Sequence, residues 1–289
     1  MMRQAPILGE GQPWQMVLLA PSAAAVPETL ENHASDSFLH ERFLSGLQRL
    51  RGRIYLKDGA IERRQLAPDG RHEQPADYQS WHLLATDSLG TVCGCARYLP
   101  HPNTAEFAQL GVSRSALAHS EQWGAKLRAA VDAEMAVARE RNISFVEVGG
   151  WALVEELRLT TAALKIALVT YSLAKLLGGC IGIGTATHRH ASSSILKRIG
   201  GRPLELDGTE FPSYFDPQYK CQMEILRFDS RCPNPKYTGL IDELTASLLG
   251  LPTISRTGVL EPLRRVLEET RTYAPAGISL HTRRQPTAR

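Results

Sequence analysis

The sequence predicts an α/β (α+β) fold in which a mixed central sheet is sandwiched by helices. Apolar runs of strand length alternate along the chain with longer segments of helical periodicity. The clearest observations are a hairpin pattern at 81–99, a strand at 144–148, and an apolar helix at 160–177 that leads into a strand at 180–187. Because helices fall between strands, we expect helices on both faces of the sheet.

The amino-terminal third contains an arm, a helix and a hairpin. Residues 1–35 hold four prolines and few charges, so we expect an irregular N-terminal arm, whose apolar residues at 16–26 form an ordinary strand or part of the arm. Apolar residues recur every three or four positions from 39 to 54, which predicts an amphipathic helix. Two apolar runs, 81–86 and 91–99, flank the turn sequence Asp87-Ser-Leu-Gly90 and predict a β-hairpin.

The middle of the chain alternates helices and strands. Apolar residues spaced by three and four predict a helix at 120–141, and β-branched and aromatic residues predict the strand at 144–148. The helix at 160–177 is apolar on nearly every side, so we expect it to be buried and to end at Gly178-Gly179. After it we expect a strand, a short helix and a final strand at 180–187, 192–199 and 219–228.

The chain changes character after its last predicted strand. Pro233 and Pro235 mark a break, and two amphipathic segments at 237–249 and 259–270 then predict helices. We therefore divide the chain into the arm at 1–35, an α/β domain at 36–230 and a C-terminal helical extension at 231–289.

Composition excludes several classes of protein. The 289 residues are 43% hydrophobic and 22% charged, which is typical of a globular chain, and a net charge of +3 gives no argument for nucleic-acid binding. Lys165 and Lys175 interrupt the longest apolar run, so no transmembrane segment is expected. Five cysteines without a CxxC pair favour reduced thiols and a cytoplasmic location.

The most informative segment runs from Glu147 to Ala163. A strand leads into a loop, and the loop opens the buried helix at 160–177. The first amides of a helix have no partners within it and lie at the positive end of its dipole, so they favour a phosphate group. Arg158 lies just before this helix and would add a charge-assisted hydrogen bond.

This segment resembles the GNAT superfamily of acyltransferases, which hold the donor pyrophosphate with an Arg/Gln-x-x-Gly-x-Gly/Ala loop between a strand and the next helix. Arg158 and Ala163 match that pattern, while Thr161 replaces the first glycine. The resemblance implies a GNAT-like fold for the α/β domain. It also implies an acyl-donor site formed by Trp151, Ala152, Leu153, Arg158, Thr160, Thr161, Ala162 and Ala163.

Within this superfamily the chain resembles the acyl-homoserine lactone synthases and the long-chain N-acyl amino acid synthases over residues 36–228. Asp77 and the run Gly94-Cys-Ala-Arg-Tyr-Leu-Pro100 are similar to an aspartate and a Gly-Cys-x-Arg-Leu-Leu-Pro pattern of the lactone synthases. Glu147 resembles the first residue of their Glu-x-x-Arg-Phe-x-Val strand, but Gly150 stands where those enzymes keep the arginine. This departure favours the N-acyl amino acid type.

The residues suggest roles in acyl transfer to an amine. Glu147 is the candidate catalytic base, because a carboxylate would take the amine proton directly or through water. Backbone amides at 151–153 would bind the thioester oxygen. Arg97, with Asp77, is the candidate for binding an acceptor carboxylate. The simpler alternatives are that Glu147 is an exposed strand residue and that Arg97 forms a structural ion pair with Asp77 or Glu106.

Other motifs favour structural interpretations. His188 and His190 would point to one side of a strand end but lack a third metal ligand, and no metal is expected. Residues 192–194 are serines that would start a helix, with no nucleophile elbow around them. Eight basic residues between 42 and 71 form a solvated face or a docking surface for an acidic acyl carrier protein.

The sequence therefore predicts an N-acyltransferase that moves a long-chain acyl group to the amine of an amino acid or similar small acceptor. No tightly bound cofactor is expected, since acyl carrier protein phosphopantetheine or acyl-coenzyme A is the co-substrate. The degenerate phosphate loop favours the carrier protein, which presents only one phosphate. A conventional acetyl-coenzyme A transferase and a non-catalytic acyl-ligand binder remain alternatives. The sequence leaves the oligomeric state open.

Overall fold

A computed structural model describes residues 14–158 and 160–256. The helix predicted at 259–270 and the first thirteen residues of the arm lie outside this part of the chain. The described helices are α1 (Ser37–Lys57), α2 (Gly124–Glu140), α3 (Glu155–Arg158), α4 (Thr161–Leu176), α5 (Ser192–Ile199) and α6 (Thr238–Leu249). None of them is long and apolar enough to cross a membrane.

Twelve strands are present in the described residues. They are β1 (Gln15–Leu19), β2 (His33–Ser35), β3 (Trp81–Thr86), β4 (Val92–His101), β5 (Ser144–Leu153), β6 (Cys180–Thr187), β7 (Arg202–Pro203), β8 (Glu205–Leu206), β9 (Thr209–Glu210), β10 (Tyr214–Asp216), β11 (Cys221–Asp229) and β12 (Thr253–Ser255). One ten-stranded sheet has the order β10-β11-β6-β5-β4-β3-β1-β12-β2, with β7 paired to β11, and β8 pairs with β9 separately.

The large sheet is mixed, as the sequence predicts. The pairs β5–β6, β1–β12 and β12–β2 are parallel, and the remaining pairs are antiparallel. Helices α1 and α2 cover one face, where α1 packs on β4 and α2 packs on β5 and β6. Helix α4 covers the opposite face, and α6 packs against α4. The predicted fold of a mixed sheet sandwiched by helices is therefore confirmed.

The sheet opens between β5 and β6. These two strands pair only between residues 144–147 and 180–183, although they continue to Leu153 and Thr187. Beyond Glu147 and Ile183 the parallel ladder stops, so a gap passes between the two strands. This gap is the feature that positions the candidate site.

Strand β5 also carries an irregularity on its other side. Arg97 lies opposite Gly149 and Cys95 lies opposite Ala152, so two residues of β5 face the single residue between them on β4. One of these two residues is Gly150, whose φ of +61° is in the left-handed region that favours glycine. The bulge therefore accounts for a glycine at this position.

Three boundaries differ from those expected from the sequence. The strand at 144–148 continues to Leu153, so 151–153 are strand residues rather than part of a loop. Strand β1 pairs with β3 inside the sheet, so this portion of the predicted arm is regular. Residues after 230 supply α6 and β12, and β12 pairs with β1 and β2. Apolar side chains of these segments are buried together with those of the central sheet.

Candidate active site

A cavity of about 960 Å³ passes through the gap between β5 and β6. Its walls come from both faces of the sheet, because α4 residues line one part while α1 and the loops around residues 74–79 and 109–115 line the other. We call these parts the α4 compartment and the α1 compartment. One cavity therefore connects two chemically different surfaces through the sheet.

The α4 compartment is mostly apolar. Ala163, Ala167 and Ala174 lie on one face of α4 at spacings of four and seven, and their small side chains leave space beneath the sheet. The strand residues Cys180 and Phe228 form part of the opposite wall. This shape and lining suit an extended apolar chain.

The α1 compartment contains a buried ion-pair network. Arg51 donates from Nη1 to Oδ1 of Asp77 at 2.7 Å and from Nη2 to Oδ2 at 2.5 Å. Arg97 lies 3.5 Å from the same carboxylate and donates to Oε1 of Gln74 at 2.5 Å. The side chains of Arg51 and Asp77 are 1% and 0% exposed, whereas that of Arg97 is 17% exposed and lines the cavity.

The charge of this network is unbalanced. Burial by itself would raise the pKa of Asp77, but hydrogen bonds and charge from Arg51 hold that pKa below its ordinary value. Asp77 is therefore a carboxylate beside two guanidinium groups, and the three side chains carry one net positive charge. A ligand carboxylate in the α1 compartment would neutralise it.

Gly150 lies directly beside this network. A Cβ atom added there would come within 3.1 Å of Cβ of Arg97 and 3.4 Å of Nη1 of Arg51. The guanidinium beside Gly150 is that of Arg51, which comes from α1. The departure noted in the sequence is thus accompanied by a cation from another element.

Glu147 lies on the α1 side of the sheet at the start of the gap. Its carboxylate accepts hydrogen bonds from the amides of Gly111 and Val112, at 2.8 and 2.9 Å, and lies 3.0 Å from Nε2 of His101. Burial would raise the pKa of Glu147, but His101 and the two amides hold the pKa below its usual range. The side chain is neither exposed nor unpartnered, and this environment makes it a weaker base than the sequence suggested.

The candidate phosphate-binding cation, Arg158, lines the cavity. Arg158 donates from Nε to the carbonyl of Leu153 at 3.2 Å, and its Nη2 lies 3.6 Å from Oδ2 of Asp58. His190 also contacts Oδ2 of Asp58, at 3.1 Å. Both Arg158 and His190 line the cavity. Asp58 therefore contacts both Arg158 and His190 at the place where the sequence predicts a donor phosphate.

The structure brings most of the predicted donor residues together and separates a few from the cavity. The residues that line it are Trp151, Ala152, Leu153, Arg158 and Ala163. Thr160 caps α4 by accepting a hydrogen bond from the amide of Ala162 at 3.1 Å, so this predicted phosphate-binding amide already has a partner. Thr161 is the first residue of α4 and does not line the cavity.

The two predicted acceptor-binding residues differ in their access to the cavity. Arg97 lines the cavity, whereas Asp77 lies behind it and contacts Arg97 and Arg51. Sequence reasoning did not identify Arg51, His101 or Asp58 as site residues. Arg51 was instead included in the basic segment 42–71, which was interpreted as a solvated face or a docking surface. The only available signal for Arg51 was its position among the apolar residues of α1, close to Leu47 and Leu50.

The histidine pair at the end of β6 does not form a shared site. His188 lies 3.4 Å from Glu224, whereas His190 contacts Asp58. The chain turns sharply after Thr187, with φ values of +52° at His190 and +57° at Ala191, so the two rings do not point to one side as the strand pattern suggested. Within the described ranges, no group of three or more His, Cys, Asp or Glu residues could hold a metal ion.

Comparison with solved structures identifies the fold. A CoA-dependent acyl-homoserine lactone synthase, BjaI, solved with SAM and isopentyl-CoA, matches with a TM-score of 0.51 and 15% identity over 88% of this chain and 98% of its own. The same protein solved with MTA matches over the same shares with a TM-score of 0.50 and 15% identity. FeeM, an N-acyl amino acid synthase from uncultured soil microbes, has a TM-score of 0.44 and 11% identity, covering 75% of this chain and 92% of its own.

The chain thus has a GNAT-like fold, and the predicted resemblance to acyltransferases of this kind is confirmed at the level of the fold. In particular, its fold is similar to that of the acyl-homoserine lactone synthase BjaI. No protein-family model matches the sequence, and no curated protein matches it significantly.

Proposed function

We propose that this protein transfers an acyl group from a thioester donor to the amine of a small acceptor that also carries a carboxylate. The observation that carries the proposal is the cavity through the sheet, which is mostly apolar on the α4 side and is lined by the guanidinium of Arg97 on the α1 side. An acyl chain and a charged acceptor would meet at the gap between β5 and β6. Such an arrangement aligns two substrates without a covalent enzyme intermediate.

The donor would enter at Arg158 and place its thioester in the gap. Arg158 would contact phosphate, and the acyl chain would extend along Ala163, Ala167 and Ala174. BjaI, the similar fold, was solved with isopentyl-CoA, so coenzyme A thioesters are the first donors to test. An acyl carrier protein thioester remains the second donor class.

The thioester oxygen would lie near the bulge in β5. A bulge leaves one residue without its regular hydrogen bonds to the neighbouring strand. A backbone amide without such a partner is a suitable donor to a developing oxyanion. The hydroxyl of Tyr55 donates to the carbonyl of Trp151 at 3.3 Å, so this segment is also held from α1. We assign the oxyanion role to the 151–153 segment as a proposal.

The acceptor would bind in the α1 compartment with its carboxylate on Arg97. This guanidinium faces the cavity, and its Nε atom has no hydrogen-bond partner among the described residues. The guanidinium of Arg97 favours an anion beside it. The proposed acceptor class is therefore an amino acid or a similar amine with a carboxylate.

Product analysis tests the proposal. Purified protein would be incubated with acetyl-, octanoyl- and palmitoyl-coenzyme A, and with the same chains on an acyl carrier protein, together with a pool of amino acids. We expect N-acyl amino acids from the longer donors. Product from acetyl-coenzyme A alone would instead favour a conventional acetyltransferase, and a bound acyl ligand without turnover would favour a binding protein.

Replacing Arg158 with alanine is expected to raise the KM for the coenzyme A donor by about 10- to 100-fold, because a charge-assisted hydrogen bond contributes roughly 1.5–3 kcal/mol. Steady-state kinetics with varied donor measures the effect. The same variant should use an acyl N-acetylcysteamine thioester as well as the unmodified protein does, since that donor has no phosphate. Arg198→Ala, an exposed arginine on α5, is the control, and an equal change in both variants would contradict the assignment.

Replacing Arg97 with alanine is expected to raise the KM for an amino acid acceptor by about 10- to 100-fold, for the same energetic reason. The matched test compares the amino acid with its carboxamide, which lacks the negative charge. We expect Arg97→Ala to remove most of the preference for the free acid. A preference that survives this substitution would show that Arg97 does not bind the acceptor carboxylate.

A further inference from the structure

His101 and Glu147 form a hydrogen-bonded pair that the sequence did not indicate. The two residues are 46 positions apart, but neighbouring strands β4 and β5 bring Nε2 of His101 to 3.0 Å from Oε2 of Glu147. The same carboxylate also accepts from the amides of Gly111 and Val112, so it is fixed on three sides. A carboxylate held in this way orients the imidazole ring.

The arrangement leaves the second ring nitrogen of His101 available. Because Glu147 is a carboxylate, Nε2 of His101 carries the hydrogen in the neutral ring, and Nδ1 keeps its lone pair. Among the described residues, none makes a hydrogen bond with Nδ1. The side chain is 10% exposed and lines the cavity.

The His101–Glu147 pair also lies beside the gap in the sheet where the two substrates are proposed to meet. Glu147 is the last residue of β5 that pairs with β6, so it marks the start of the gap through which the donor would pass. His101 lies on the same face of β4 as Arg97, because residues four apart on a strand point to the same side. The imidazole therefore belongs to the α1 compartment, where the acceptor is proposed to bind.

We infer that His101 is the general base of the proposed acyl transfer and that Glu147 is the positioning residue that holds it. This inference rests on the proposed function and replaces direct proton transfer to Glu147. A carboxylate–imidazole pair of this kind fixes the tautomer of the base and stabilises the imidazolium that forms. Imidazole is the commonest general base because it exchanges protons near neutral pH.

The proton and bond changes balance with the groups present. The acceptor binds as the free amine, and its nitrogen attacks the thioester carbonyl carbon to form the C–N bond. Nδ1 of His101 takes one amine proton, directly or through one water molecule, as the C–S bond breaks. The imidazolium then returns this proton to the departing thiolate, so the products are the amide and the free thiol.

The experiment compares His101→Ala with the unmodified protein and with His119→Gln, an exposed histidine ahead of α2. With saturating donor and acceptor, we expect kcat of His101→Ala to fall by about 100-fold or more, while both KM values stay within about threefold. Added imidazole should restore part of the kcat of His101→Ala, because it replaces the missing base. His119→Gln should keep normal kinetics.

Glu147→Gln tests the positioning role. We expect its kcat to fall by at least about tenfold with little change in either KM, since orientation is lost while the substrate contacts remain. Thermal unfolding of each variant would be measured in parallel. An unchanged kcat in Glu147→Gln would overturn the role of Glu147 as positioning residue.

The outcomes separate the two proposals. N-acyl product from the unmodified protein with an unchanged kcat in His101→Ala would overturn the role of His101 and retain the proposed function. A lower kcat without imidazole rescue, accompanied by weaker donor binding, would show a structural role and also overturn it. Absence of product from the unmodified protein with every donor would overturn both.

Discussion

Replacing Asp77 with alanine is expected to lower the free energy of unfolding by about 3–5 kcal/mol, because Arg51 would be left as a buried charge without its partner. The guanidinium of Arg51 is 1% exposed and makes its two shortest hydrogen bonds to this carboxylate. Gln48 and the amide of Gln74 donate to the same carboxylate at 3.2 and 3.1 Å, and would also lose their acceptor. Urea unfolding followed by circular dichroism measures the loss.

Two further variants show whether charge pairing is the cause. Asp242→Ala breaks the exposed ion pair with Lys175 and should change the free energy of unfolding by no more than about 1 kcal/mol. Arg51→Met combined with Asp77→Leu removes the main buried pair and should recover stability relative to Asp77→Ala. Equal losses in the single and double variants would contradict this account.

The pairing of Asp77 with Arg51 also makes the free energy of unfolding depend on pH. Because the pKa of Asp77 in the folded protein lies below its ordinary value, its stabilising effect is present above the ordinary aspartate pKa of about 3.9. The effect is lost as the pH falls through the lower folded-state pKa. Asp77→Asn should therefore show a smaller loss of stability on acidification in this range than the unmodified protein.

Filling the α4 compartment is expected to change the preferred donor by at least about 100-fold, because a long chain must find space there and an acetyl group need not. Ala167→Phe would place a ring in the compartment, between the other two lining alanines of α4. We expect kcat/KM for palmitoyl-coenzyme A to collapse while that for acetyl-coenzyme A stays within about threefold. The measurement is the ratio of kcat/KM for palmitoyl-coenzyme A to kcat/KM for acetyl-coenzyme A. Because a folding defect would lower both values, the acetyl value of each variant is its control for folding.

The position of the bulky residue provides a second test. Ala163 and Ala174 are eleven residues apart on α4, which corresponds to roughly 16 Å along the helix. Ala163→Phe, nearest Arg158, should exclude even octanoyl donors, whereas Ala174→Phe should exclude only the longest ones. An identical chain-length profile for both variants would show that the acyl chain does not follow α4.

Much of the fold follows from local patterns. Short apolar runs on either side of an Asp/Gly turn predicted the hairpin of β3 and β4, and a nearly all-apolar segment ending in two glycines predicted the buried helix α4. These features depend on residues close together in the chain. The arm was less predictable, because β1 becomes part of the sheet only through pairing with β3 and the distant β12.

The candidate site was predictable where it depends on adjacent residues. Arg158 and the start of α4 are neighbours in sequence, and a strand before a helix is enough to suggest a phosphate site. The apparent base was harder to judge. Alternation along a strand indicates the face on which Glu147 lies, but only the fold places His101 and the amides of the 111–112 turn around its carboxylate.

The sequence by itself thus determined the mixed sheet and its covering helices. Only the tertiary structure decided which charged groups meet: Arg51 with Asp77 across 26 positions, and His101 with Glu147 across 46. The physical reason is that periodicity and capping act over one or two turns or strands, whereas ion pairs and cavities depend on how distant elements pack. The gap between β5 and β6 is of the same kind, since it depends on where two strands stop pairing.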